Sequence, residues 1–380
     1  MKYSILRKNL LYAVIVTLLS LLLSRFLIYD IFSASVFSSM EKSLDFELTD
    51  IYNAIAHKRA VAKKSDAIVI VSIDGCSRQR IAQVIEAVDF FEPRVIGLDV
   101  LFSEATDDNY LVRVIRSCPN LLLPAWINDD TLTGSYFYNE PEREQLGIVN
   151  IEAGSVRDVV RHFRSRFCTD GQSFDSFAAA LARIAAPEAF GRLTQRNRET
   201  ETIRYSNTDF ETLTAAEIVQ ETGALQPGIA EVLHDKIVLI GNVRDLSDEH
   251  LTPAKAMSGL HIHAYTLQTI LDGSYIRQSP DWWNWSLALL LCWMLAFAGL
   301  CMKARSLKGD SLYLRILQFV LICLLVFAGC LRFLHQGIYT DFAPALLMIG
   351  FSTFALDIWM GLIDLTRLLG RKLRAKDRLP

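Results

Sequence analysis

The stretch that decides the fold runs from Ala67 to Leu101. It opens with Ala67–Ile73 (AIVIVSI), halts at Asp74-Gly75, passes through a helical segment, Arg78–Phe91, and after Pro93 reaches Val95–Leu101 (VIGLDVL). Both apolar runs are continuous and rich in β-branched residues, the pattern of strands buried on both faces of a parallel sheet. Strand, helix and strand together make a βαβ unit, whose crossover is right-handed almost without exception.

The alternation continues outward. Leu121–Trp126 reads as a third strand, and Gly147–Ile151 with Val159–Phe167 as a hairpin or meander. Phe174–Ala186 is an Ala-rich helix ended by Pro187, and Gly191–Glu201 a polar, basic connection. Ile203–Tyr205, the helix Thr214–Gln220 and the strand Lys236–Ile240 (KIVLI) restore the alternation, which His261–Leu271 closes as a helix. The fold expected is α/β, a mainly parallel sheet with antiparallel additions. On the N-terminal side, Leu44, Leu48, Ile51 and Ile55 recur at helical spacing within Ser38–Lys64. They predict an amphipathic stalk helix, which either packs on its own domain or pairs with a second copy in a homodimer.

The rest of the 380 residues is dominated by four apolar runs: Asn9–Ile28, Trp285–Met302, Ile316–His335 and Phe342–Leu365. Each approaches or exceeds the roughly 20 apolar residues that cross a bilayer core. The first is read as an uncleaved signal anchor, because it is long for a signal peptide and no small-x-small site closely follows. Lys2, Arg7 and Lys8 precede it; Lys303, Arg305, Lys308 and Arg315 lie between the second and third runs; Arg367, Arg371, Lys372, Arg374, Lys376 and Arg378 follow the fourth. Four crossings put these basic segments on one side, which the positive-inside bias makes the cytoplasm. Trp282, Trp283 and Trp285 fall where the outer aromatic belt should lie. The expected organisation is a helical anchor over 1–29, an extracytoplasmic domain with its stalk over 30–281, three membrane helices over 282–366 and a basic cytoplasmic tail over 367–380. In a cell with two membranes this places the protein in the inner one.

Charge follows the same division. Residues 30–281 carry 24 Lys and Arg against 37 Asp and Glu, the remainder 15 against 5. An acidic outer domain argues against nucleic acid as a partner. Of seven cysteines, Cys76, Cys118 and Cys168 fall in the domain, an odd number with no CxxC spacing. No cofactor or zinc site is indicated, and one disulfide stays open. The tail of about fifteen residues is too short to bury a core, so no output domain is expected there.

The motifs VSID (Val71–Asp74), RVIGLDVLFSE (Arg94–Glu104), FAAALA (Phe177–Ala182), DKIVLIGN (Asp235–Asn242), LTP (Leu251–Pro253) and SGLHIHA (Ser258–Ala264) occur in this order, with Asp45 before them and Asp248 among them. Together they resemble the CHASE domain of type 2, the cyclase/histidine-kinase-associated sensory extracellular domain of bacterial receptors. The resemblance covers roughly residues 40–275 and continues into three C-terminal membrane helices, the usual sequel in that family. It implies a sensory module with an unknown small ligand. Two features depart from the pattern: a Trp-Pro-Trp-like stretch is missing around Cys76–Arg80, and no kinase or cyclase domain is fused. The resemblance therefore implies a sensor whose output is a separate cytoplasmic or membrane protein.

Ligands of parallel α/β sheets bind beyond the carboxyl ends of the strands. Asp74, Asp99, Glu104, Asn242, Asp248 and His263 are the candidates to converge there. A carboxylate-rich cluster with one histidine suits a divalent cation or an amine ligand. The alternative is that Asp74 and Asp248 cap turns or helices and His263 is a core residue. In the fourth apolar run Asp357 and Asp364 share one helix face; Asp364 is placed where Arg315 could pair with it, and Asp357, lying deeper, contacts a partner helix, holds a proton or simply packs in the bundle against a polar neighbour. Not an enzyme but a sensor is the reading that results. The rival is a structural or assembly protein that binds another envelope protein. A hydrolase comes third: His261 and His263 are available, yet no GxSxG elbow occurs.

Overall fold

The computed structural model describes residues 2–26, 50, 63–106, 108–137, 145–151, 159–205, 208–220, 225, 228–304 and 310–376. Packing divides the chain into two compact units, Met1–Leu44 with Arg277–Pro380, and Asp45–Ile276. Of the predicted stalk, Ser38–Lys64, only Asp50, which is helical, and Lys63 and Lys64, which already belong to β1, fall within the described residues.

In chain order, α1 (Lys2–Phe26) belongs to the first unit. The second begins with β1 (Lys63–Ser72), α2 (Arg78–Phe90), β2 (Val95–Asp99), α3 (Asn109–Ser117), β3 (Leu121–Asn128), β4 (Thr131–Gly134) and β5 (Leu146–Ile148). There follow β6 (His162–Arg164), β7 (Arg166–Thr169), β8 (Gln172–Asp175), α4 (Phe177–Ala185), α5 (Pro187–Gln195), β9 (Thr200–Thr202), β10 (Thr208–Thr214) and α6 (Ala215–Ile218). The unit closes with α7 (Ala230–Leu233), β11 (Ile237–Gly241), a 3-10 turn at Leu246–Asp248, β12 (Glu249–His250), β13 (Met257–Ser258) and α8 (Gly259–Asp272). The first unit resumes with β14 (Arg277–Gln278), α9 (Asp281–Ala304), α10 (Asp310–Gln336), β15 (Ile338–Tyr339) and α11 (Ala343–Lys376).

Seven strands form the main sheet, in the order β10-β1-β11-β2-β3-β4, with β5 also on β3. Every pairing is parallel except β3 with β4. Period-two alternation explains the continuous apolar runs. Val69, Val71, Ile96, Leu98, Val238 and Ile240 face the layer that holds α2 and α3, while Ile68, Ile70, Val95, Ile237 and Leu239 face the layer of α4 and α8. Each such side chain, fully buried, contributes about 1.5–3 kcal/mol of transfer free energy. The alanines of α4 let that helix approach the sheet closely. A Cβ on Gly97 would lie 2.9 Å from Phe177 Cζ, and one on Gly147 2.8 Å from Phe177 Cα.

The expected α/β architecture is present, with local corrections. Gly147–Ile151 does not pair with Val159–Phe167. Its first two residues belong to β5, which runs parallel to β3, while β6 pairs antiparallel with β9. β7 and β8 form a separate hairpin around Asp170-Gly171, both at positive φ. Phe174 is therefore a strand residue, and α4 starts only after its N-cap Ser176. Pro187 opens α5 as well as ending α4, because its missing N–H costs nothing at the first helical position. The predicted connection over Gly191–Glu201 is thus partly helix. The largest omissions are the nine-residue α3, which buries Leu111, Val114 and Ile115, and β10, TDFETLT, an edge strand in which only Phe210 and Leu213 are buried.

In the other unit, four helices are long and apolar enough to span a membrane: Leu6–Phe26, Asp281–Ala304, Leu312–Gln336 and Ala343–Arg371. Their buried residues include Ala13, Ala288, Cys292, Ala296, Gly299, Ala345, Ser352 and Ala355, small side chains that allow close helix approach. Gln318 Nε2 donates to the carbonyls of Ile349 and Gly350 (2.8 and 2.9 Å), a polar tie between α10 and α11. Asp364 lies 3.4 Å from Arg367 one turn along its own helix, not beside Arg315; the i,i+3 spacing supplies a nearer cation. Asp357 pairs with Lys303 of α9 at 2.8 Å, so its partner is a lysine at the end of another helix of the same bundle.

Candidate functional site

The strand register assembles one row across the carboxyl ends of four strands. Thr214 of β10 pairs with Ser72 of β1, Ser72 with Gly241 of β11, and Gly241 with Asp99 of β2. The loops leaving this row enclose an open cleft of about 650 Å3 between β1, β10 and β11. Ser72, Asp74, Gln79, Arg80, Thr214 and Arg244 are among its lining groups.

Asp74 lies two residues past the end of β1 and is fully engaged. Oδ2 accepts from Ser72 Oγ (2.6 Å), and Oδ1 accepts from the backbone amides of Val243 (2.9 Å) and Arg244 (3.1 Å). Burial alone would raise its pKa, but these three donors outweigh that and hold it below the usual carboxylate value. Ser77 caps α2 at the cleft wall by accepting from the Arg80 amide. The Arg80 guanidinium turns away to the carbonyls of Ala215, Val219 and Gln220, which closes the end of α6. Arg244 is exposed at the rim.

Beside the cleft lies a second group. Asp248 Oδ2 accepts from the Gly259 amide (3.1 Å) at the start of α8, and Oδ1 lies 3.2 Å from His250 Nε2. A Cβ on residue 259 would fall 2.8 Å from that carboxylate, so glycine is required for this approach. Asp99, at the end of β2, is pushed up to about 7 by burial and then by the nearby Asp248 charge. His263, in the second turn of α8, is 7% exposed and lies against Phe177, with ring centroids 5.2 Å apart. Burial holds it down at about 4, so the ring is neutral at ordinary pH.

Of the six residues singled out in the sequence, the structure places Asp74, Asp99 and Asn242 just at the strand ends. Asp248 stands beside them and His263 behind. Asn242 is half-buried, one residue past β11. Glu104 stands apart: its carbonyl accepts from Arg78, whose guanidinium also grips the buried Asp108. Asp74 and Asp248 have the capping roles weighed against ligand binding, and His263 the core role. Thr212 of the cleft wall went unread because β10 was not recognised, while Thr214 and Ala215 open the helix that the sequence did indicate. Arg244 carried no signal at all, since an exposed arginine in a loop looks like any other.

Among the described residues, no group of three or more His, Cys, Asp or Glu is arranged to hold a metal ion. Cys76, Cys118 and Cys168 are free thiols. Burial raises the Cys76 thiol and lifts Cys118 to about 12, so neither is a ready thiolate. One nucleophile does meet a base: Ser258 Oγ is 2.9 Å from His261 Nδ1, beside a hollow of about 230 Å3. Ser258 is the N-cap of α8 and only 5% exposed, and among the described residues no carboxylate orients the far nitrogen of His261. The contact is a side-chain pair at the helix start and lacks the third group of a nucleophilic triad.

A family model, the CHASE2 domain, matches residues 16–301. No curated protein and no solved structure matches the chain.

Proposed function

The chain belongs to the CHASE2 domain family of sensory extracellular domains, and on that premise we propose a membrane-anchored sensor with its α/β unit outside the cytoplasm. The observation that carries this reading is the family match across the α/β unit, whose sheet ends in an open polar cleft. Its orientation is supported by the Lys and Arg bias of the segments flanking the apolar helices. The domain lies between apolar helices on both sides of the sequence, so a change in it is relayed through them to a separate output protein. The cleft is the proposed ligand seat, with Asp74, Gln79, Thr214 and Arg244 at its wall and rim. Asp99, Asn242, Asp248 and His263 form its support.

The test uses the full chain in lipid nanodiscs, unfolded thermally in the presence of small-molecule fractions from the extracytoplasmic space. A component at 100 times its Kd stabilises the folded state by about 2.7 kcal/mol. That gain should vanish in Gln79→Trp, which fills the cleft from an exposed position. Stabilisation by no fraction, or equal stabilisation of Gln79→Trp, would count against the reading.

A further inference from the structure

With the cleft taken as the sensory seat, as proposed above, we infer that the loop 242–258 is the element that couples it to both ends of the α/β unit. The loop starts at the cleft. Its first two amides past Asn242, those of Val243 and Arg244, are held by one oxygen of Asp74, whose other oxygen is held by Ser72. The position of one carboxylate therefore sets where the loop leaves the sheet. The loop is stiff just beyond. Asp245 Oδ1 accepts from the Ser247 amide (2.9 Å) and hydroxyl (2.6 Å), and the Asp248 amide returns to the Asp245 carbonyl (3.2 Å).

From this turn two branches depart. Along one, Asp248 holds the first amide of α8, a helix that runs to its left-handed cap Gly273, three residues before the unit ends at Ile276. Along the other, the Leu251 carbonyl accepts from the Val160 amide (2.8 Å), and the Val160 carbonyl accepts from Tyr205 Oη (2.8 Å). The next residue, Arg161, grips Asp50 with two parallel bonds: Nε to Oδ1 (2.9 Å) and Nη2 to Oδ2 (2.7 Å). Arg161 is buried at 5% exposure and Asp50 half-buried at 16%. Asp50 lies on the segment that follows α1 in the chain. A ligand that competes for Asp74, or displaces Val243 and Arg244, thus pulls on both connections at once. Asp248 and Arg161 are positioning residues in this device, and neither lines the cleft.

The measurement is amide hydrogen exchange by mass spectrometry on the full chain in nanodiscs, without ligand. Asp74→Ala should raise exchange about tenfold at 243–251, at Val160–Arg161 and in the first turn of α8, and leave the β3–β4 hairpin unchanged. Asp248→Asn should affect only the α8 branch, and Arg161→Lys only the Val160–Arg161 contact and Asp50 itself. If Asp74→Ala fails to fold, Ser72→Ala, which removes one donor to the same carboxylate, is read in its place. A rise confined to 241–247, or a uniform rise over the whole domain, would overturn the coupling. Because no ligand is added, propagation without any stabilising extract fraction would refute the sensory seat and leave the coupling standing. A stabilising fraction without propagation would do the reverse.

Discussion

In the α/β unit the large side chains of Ile68, Ile70, Ile96, Leu98, Phe177 and Tyr205 are fully buried. The four apolar helices bury Ala13, Ser20, Ala288, Ala296, Ala345 and Ala355, and turn Leu11, Leu22, Phe319 and Phe327 outward. Both units are rich in apolar residues and the helices also bury Met348, Ile349 and Leu356, but the helices leave many more of their large side chains outward. In water, removing large apolar surface is the main driving force, so the biggest side chains go inside. Lipid tails are as apolar as leucine and supply no such force, so helix contacts rest on close approach and on polar ties such as Gln318 to the carbonyls of α11. The α/β unit must also satisfy every charge that it buries, as Arg161 with Asp50 and Arg196 with Glu201 illustrate.

The comparison can be broken at several points. The largest effect is expected from Arg161→Met, which removes a buried guanidinium and its two-bond contact with Asp50 and should cost about 3 kcal/mol in denaturant unfolding of the full chain. A loss near zero would mean that the pair is not buried in solution. Next comes pH. Between about 4 and 7 the folded state keeps a proton on Asp99 that the unfolded chain has released, so stability falls as pH rises through that window. His263 acts oppositely: its folded value near 4 lies below the ordinary 6.5, so its contribution rises with pH between them. Asp99→Asn should therefore gain stability relative to the parent as pH goes from about 4 to 7, and His263→Gln should lose the opposing slope below 6.5. Unfolding curves at several pH values check both signs.

Two glycines give the sharper contrast. Gly147→Ala sets a methyl 2.8 Å from the Phe177 Cα, a backbone atom that cannot swing away. It should cost about 2–3 kcal/mol. Gly299→Ala in α9 sets its methyl 2.7 Å from Leu356 Cδ2, the far end of a flexible side chain, and should cost about 1 kcal/mol. Equal losses in thermal unfolding would show that the two units do not differ in how rigidly they are packed.

The two regions also differed in how far the sequence disclosed them. Apolar length and flanking charge located all four helices, because spanning a bilayer imposes a length that few other structures need. In the domain, β1, β2 and β11 announced themselves as β-branched runs buried on both faces. β10 did not, since its two buried residues, Phe210 and Leu213, are three apart and break strand alternation, while Asp209 and Glu211 resemble a loop. Asp170-Gly171 is a hairpin signal that goes unread when Val159–Phe167 is taken as one strand. The candidate site was legible at the strand ends, where topology fixes position. What each carboxylate does was not, because capping Gly259 or holding the Val243 amide depends on loops whose course no periodicity encodes.

The placement of the α/β unit outside the cytoplasm is tested most directly by labelling with a membrane-impermeant maleimide. Cys168 is exposed on the domain, and a chain that keeps it as the sole cysteine supplies the probe. Its counterpart is a chain without native cysteines that carries Arg371→Cys. In intact spheroplasts Cys168 should be labelled at once, and the Arg371→Cys chain only after the membrane is permeabilised. Labelling of the Arg371→Cys chain in intact spheroplasts, with Cys168 protected until permeabilisation, would contradict the account.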